Sequence, residues 1–158
     1  MDDNQKQIQG QIDNLAISRN NLQSQVSGLQ SQVDSLNAQI ADLNSKLVTA
    51  RTFRSDVDTS FAPKKTDLQN ELENGVSLLQ DAVDDSSAGS TLKEHNADID
   101  SKISAVTSAV DKLISRLESQ ISTLSKSLSS AQSSLQSTQS QLDSTQSQIN
   151  SLSDQINS

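Results

Sequence analysis

Cysteine, tryptophan and tyrosine are absent from the sequence, and Phe53 and Phe61 are its only aromatic residues. Without cysteine there is no disulfide framework, no thiolate nucleophile and no cysteine-based metal site, and redox chemistry gives no clue to compartment. An apolar share of 32% with 1% aromatic is too little for the thick interior of a globular domain. His95 is the single histidine, so neither a catalytic triad nor a metal-ligating pair can be assembled around it. Basic residues are also scarce, 12 against 20 acids, for a net charge of −8. Phosphate backbones and anionic membranes are bound by clusters of Lys and Arg, so neither nucleic acid nor a lipid surface is an expected partner. No apolar run approaches the ~18 residues of a membrane span. The opening MDDNQKQIQG has no basic start followed by an apolar stretch, so no conventional signal peptide is expected.

What the sequence does contain is rhythm. Ile8, Ile12, Leu15, Leu22, Val26, Leu29, Val33, Leu36, Ile40, Leu43 and Leu47 alternate steps of three and four, with Arg19 the one polar residue at a seam position. That spacing is the heptad seam of a coiled coil, whose apolar edge needs another helix to cover it. The last third repeats it with Ile114, Leu117, Ile121, Leu124, Leu128, Ala131, Leu135, Thr138, Leu142, Thr145, Ile149, Leu152 and Ile156. Upstream, Ile99, Ile103, Val106 and Val110 continue the stripe, and two successive steps of four up to Ile114 form a local eleven-residue phase shift, which relaxes a left-handed supercoil.

The middle differs in character. Residues 52–114 hold 12 acids and 6 bases, leaving a net −2 for both flanking coils. Pro63 predicts an interruption, because proline is tolerated in the first turn of a helix and not in its interior. Leu68, Leu72, Val76, Leu79 and Val83 then give a second helix one apolar face. Residues 84–90, DDSSAGS, carry turn chemistry, and Thr91 with Glu94 reads as a capping box opening the next helix. The expected fold class is all-α, a long antiparallel helical hairpin with a break near Pro63 and a turn at about 84–90. As one hairpin domain it comprises a first coil over 3–60, a second segment over 64–84 and a return helix over 91–157. The two seams each span about 43 residues, roughly 64 Å at the helical rise, so folding back pairs Ile8 with Ile156 and Ala50 with Ile114. Opposing this, the first coil alternates β-branched residues with Leu, the arrangement of parallel two-stranded coils. A homo-oligomeric rod is therefore the alternative.

No catalytic, cofactor-binding or metal-binding residue is expected. Asp81, Asp84 and Asp85 cluster, yet they lack the alternating ligands and central glycine of a calcium loop. Interaction residues are better supported. Phe53 and Phe61, just before Pro63, either dock a partner or plug a widened core, and Leu68, Leu72, Val76 and Leu79 extend the same region. Arg19 either pairs with an acid on a partner and fixes register or snorkels out of the seam.

The Gln/Ser-rich first coil (IDNLAISRNNLQSQVSGLQSQVDSLNAQIADLNSKL), the less regular middle and the second coil (IDSKISAVTSAVDKLISRLESQISTLSKSL), leading into an LxSxxSQI-like tail, resemble the YwqH-like small helical proteins. Those are encoded beside LXG-domain toxins of Gram-positive bacteria. The resemblance implies a helical hairpin, related to the small Trp-x-Gly secreted proteins, that binds the N-terminal helical LXG domain of a toxin as a targeting factor or chaperone. It further implies a cytoplasmic protein exported, if at all, with its partner through a type VII secretion system. Two departures stand out. There is no tryptophan for a Trp-x-Gly turn and no tyrosine for a Tyr-x-x-x-acid export signal, and Val57 and Lys65 stand four residues after Phe53 and Phe61. Any export signal is thus expected on the partner.

Overall fold

The computed structural model describes residues 3–83 and 87–157, with side chains described outside 79–83 and 87–89. All regular structure among these residues is helical: α1 (Asp3–Asp56), a π-helical turn (Val57–Phe61), α2 (Ala62–Val83) and α3 (Ser87–Asn157). Asp3 in the first turn of α1 and Arg54 in its last place charges where the helix dipole favours them. Serine and threonine are poor formers of helix interiors because their hydroxyls compete for backbone groups. Here they are accommodated by donating to the carbonyl four residues back, as Ser27 does to Gln23 (3.1 Å), Ser133 to Ser129 (2.9 Å) and Thr138 to Ser134 (2.9 Å). Thr138 and Thr145 sit half-buried on the seam with their hydroxyls tied in this way. A seam position can hold threonine because its polar atom is already partnered.

The chain forms two compact units. Unit 1 joins residues 1–41 to 122–158, and its core is Val33, Leu36 and Ala131, with Leu124, Leu128 and Leu135 packed against them. Arg19 crosses the seam, its Nη1 donating to Gln146 Oε1 at 3.4 Å, while Nη2 donates to Asn20 Oδ1 at 3.2 Å. Unit 2 comprises residues 42–121 around Leu47, Ala50 and Leu117, supported by Leu43, Ile114 and Ile121. Beyond that core, Arg51 pairs with Glu118 (2.7 Å), Arg54 with Asp111 (3.0 Å) and Lys65 with Asp100. Partners descend α3 as the chain advances through α1 and α2, so the pairing is antiparallel, as the matched seams predict. Ala50 meets the Ile114–Leu117 stretch.

The interruption anticipated at Pro63 takes the form of the π-helical turn. In an unbroken α-helix the Pro63 ring would press on the carbonyl of Thr59 and leave it without a donor. The wider turn relieves both, and the Ala62 N–H donates to the Val57 carbonyl, five residues back, with Ala62 itself at φ −60° and ψ −44°. Helical backbone therefore continues, at the cost of one extra residue in the turn. That residue rotates the face presented to α3. Up to Val57 the half-buried positions keep the three-four step; the next is Ala62, followed by Lys65 and Gln69.

Two apolar stripes depart from the internal seam. On α2, Leu68 and Leu72 are 55% and 43% exposed, whereas Val76 is half-buried. On α3, Ile99 and Val106 are 39% and 45% exposed, whereas Asn96 and Thr107 are half-buried in their stead. The one-residue slip turns Phe61 and Leu68 away from the shared contact, while on the unbroken α3 the contact follows Asn96, Ile103, Thr107 and Val110 and leaves Ile99 and Val106 outside it. Helix α3 also begins at Ser87, so Thr91 lies within it and does not cap it. Residues 84–86 of the expected bend lie outside the described residues.

Candidate helix-docking groove

Exposed apolar residues on either side of the π-helical turn and on α3 converge in unit 2. Phe53, in the last turn of α1, and Val57 and Phe61, in the π-helical turn, line an open groove with Ile99, Ile103 and Val106 of α3. The groove has a volume of about 550 Å³ and is closed at its edges by Asp56 and Lys102. Phe53 and Phe61 are 49% and 52% exposed. They therefore stand in its wall and do not fill a core, which leaves aromatic surface available to a partner. Leu68 and Leu72 lie two and three helical turns beyond Phe61 and so share its face of α2. Leu113, also exposed, lies two turns beyond Val106 on α3.

Ion pairing fixes the walls. Arg54 is held by Asp58 in its own segment and by Asp111 of α3. The hydrogen bond to Asp58 raises the Arg54 pKa above its ordinary value, burial opposes it, and the Asp111 bond adds to the rise. The guanidinium is charged at every physiological pH and acts as a permanent clamp between the π-helical turn and α3. Lys65 with Asp100 and Lys102 with Asp98 at 2.6 Å complete the lining charges.

Of the residues singled out from the sequence, Phe53 and Phe61 are brought together, with Leu68 and Leu72 exposed alongside on α2. Val76 is half-buried on α2, and the side chain of Leu79 lies outside the described residues. Arg19 belongs to unit 1, half-buried against Gln146. On the α3 wall Ile99 and Val106 are exposed and Ile103 between them is half-buried, an exposure the heptad reading does not anticipate. Its signal is present in the sequence: Ile99, Ile103, Val106, Val110, Leu113 and Leu117 form an unbroken three-four repeat of their own, and the phase shift before Ile114 marks where it parts from the internal seam.

The model of the YwqH-like family matches residues 17–154, which takes in most of both seams, the π-helical turn and all of the groove. The chain belongs to the YwqH-like family. No match was found among curated proteins or among solved structures. In this YwqH-like protein the described residues hold no cluster of His, Cys, Asp or Glu able to ligate a metal ion, and none of its described helices is long and apolar enough to cross a membrane. His95 is exposed on α3. Asp81, Asp84 and Asp85 lie outside the residues whose side chains are described. What the groove of this YwqH-like protein offers is apolar area bordered by the charges of Asp56 and Lys102.

Proposed function

We propose that this protein is a non-enzymatic helical binding partner, a targeting factor or chaperone, that packs against the N-terminal helical LXG domain of a type VII secreted toxin. Membership of the YwqH-like family supports the choice of partner. The observation that carries the binding role is the groove itself. Half-exposed Phe53 and Phe61 face Ile99 and Val106, and exposed aromatic anchors in an apolar cleft are the usual centre of an interaction surface. Docking a helix there adds a third member to a two-helix pair whose core is thin, with seven buried apolar residues among those described, so partner and host stabilise each other by mass action. The complex is then the export substrate, with the secretion signal supplied by the toxin.

Co-expression with an LXG-domain protein tests this reading. The two proteins should co-elute on size exclusion, and Phe53→Ser with Phe61→Ser should separate them while circular dichroism keeps its helical signal. Independent elution of the unmutated pair overturns the proposal.

A further inference from the structure

We infer that the groove takes an amphipathic helix whose apolar stripe is flanked by lysine and arginine, an inference that rests on the helix-docking reading and adds the charge class of the partner. The exposed residues Ile99, Val106 and Leu113 recur every seven residues along α3, the heptad interval at which a supercoiled helix meets its neighbour, not the two-residue period of an added strand. The period fixes the occupant's secondary structure, and the charges fix its sign.

Most of the basic groups around the groove are already engaged. Arg51 is held by Glu118, Arg54 by Asp58 and Asp111, Lys65 by Asp100, and Lys102 by Asp98. The acids beside the exposed apolar residues are not. Asp56 borders the groove, Asp67 precedes Leu68, and Glu71 and Glu73 flank Leu72; all four are exposed, and none forms an ion pair among the described residues. Against them, Lys64 is the one base on this stretch of α2 outside an ion pair among those residues; on α3, Lys112 and Arg116 flank Leu113 and form no ion pair there either, so the acidic surplus belongs to the α2 wall. A helix docked on Phe61, Leu68 and Leu72 from α2, and on Ile99 and Val106 from α3, lies beside a surplus of carboxylates. Lysine or arginine flanking its apolar stripe finds partners there, and glutamate is repelled. A second copy of this chain would bring the same acidic stripe against itself, so the charge pattern selects a different, basic molecule.

The test uses the full chain and two synthetic helical peptides of about four heptads. Both carry one Ile/Leu three-four repeat; one has Lys at the positions flanking it, the other Glu. Fluorescence anisotropy should show the Lys peptide binding at least about tenfold more tightly, a preference that shrinks as added salt screens the charges. Asp67→Lys, Glu71→Lys and Glu73→Lys together should invert the preference, and Phe53→Ser with Phe61→Ser should abolish binding of either peptide. Equal affinity for both peptides, binding of neither, or Lys-peptide binding that survives loss of the two phenylalanines overturns the inference, as does a dimer in sedimentation equilibrium that the Phe changes dissolve. The salt dependence is read on the unmutated chain and needs no variant to fold. If the LXG protein fails to co-elute while the peptides discriminate, the proposed partner falls and the basic-helix site stands; co-elution without discrimination gives the converse.

Discussion

Replacing Pro63 with alanine should make the protein more stable and less able to bind. The alanine removes the ring that an unbroken α-helix could not accommodate, so the five-residue step from Val57 to Ala62 can close to the ordinary four with no residue removed. The face of α2 turned toward α3 then rotates by about 100°, one residue's turn in a helix. Phe61 and Leu68 move into the places now held by Ala62 and Gln69, against α3. They are now 52% and 55% exposed, so burying the remainder adds roughly 1 kcal/mol for each, half the value of a fully buried side chain. Loss of the Lys65–Asp100 pair costs up to ~1 kcal/mol, in the range of partly exposed ion pairs. The balance is about 1 kcal/mol of added stability, or ~2–4 °C in Tm for a chain of this size. Thermal melts followed at 222 nm measure the first effect and anisotropy with the Lys-flanked peptide the second. A lowered Tm, or undiminished peptide binding, would refute the account of the π-helical turn as the device that holds Phe61 and Leu68 outward.

Two further outcomes test the packing. Leu117→Ala and Leu47→Ala, at 6% and 7% exposure in the unit 2 core, should each lower stability by ~2–4 kcal/mol in urea titrations, the usual cost of emptying a leucine site; a loss below ~1 kcal/mol would mean that the seam is not closed there. Gly10→Ala and Gly28→Ala place a Cβ where no atom lies within 4 Å, so each should raise stability by about 0.8–1 kcal/mol through helix propensity alone, read as a higher urea midpoint at unchanged slope.

The antiparallel seams were legible because heptad spacing states which residues share a face, and matched lengths state what covers them. Val33 and Leu36 against Ala131, and Leu47 against Leu117, follow from spacing alone. The displaced stripes were not legible, for a reason of phase. Pro63 announces an interruption, but a helix can stop there or slip by a residue, and the two outcomes place Leu68 on opposite sides. On α3 the internal seam and the exposed repeat share Ile103, Val110 and Leu117, so a single stripe through Ile99 and Val106 fits the apolar residues as well as two overlapping ones. Leu113 breaks the tie, since it belongs to the exposed repeat alone. Phe53 and Phe61 were marked from the start by being the only aromatics; whether they filled a core or walled a groove depended on a rotation that local sequence does not encode. Arg19 shows the same limit on a smaller scale. Its place on the seam was plain, but its partner, Gln146, depended on the register of a helix more than a hundred residues away.

The hydroxyls bonded to their own helices bear on what the coils do in a crowded cell. A serine donating to the carbonyl four residues back has no proton left for a passing chain. The amides of Gln30 and Gln139 are likewise directed to Asp34 and Asp143 on their own helices. Such flanks still present lone pairs to water and stay wetted, and each hydroxyl or amide N–H engaged in this way is one donor fewer with which another backbone could begin to pair. Against such flanks the cluster of exposed apolar side chains around Phe53 and Phe61 stands out, and a protein built largely of two low-complexity helices can still choose its partner.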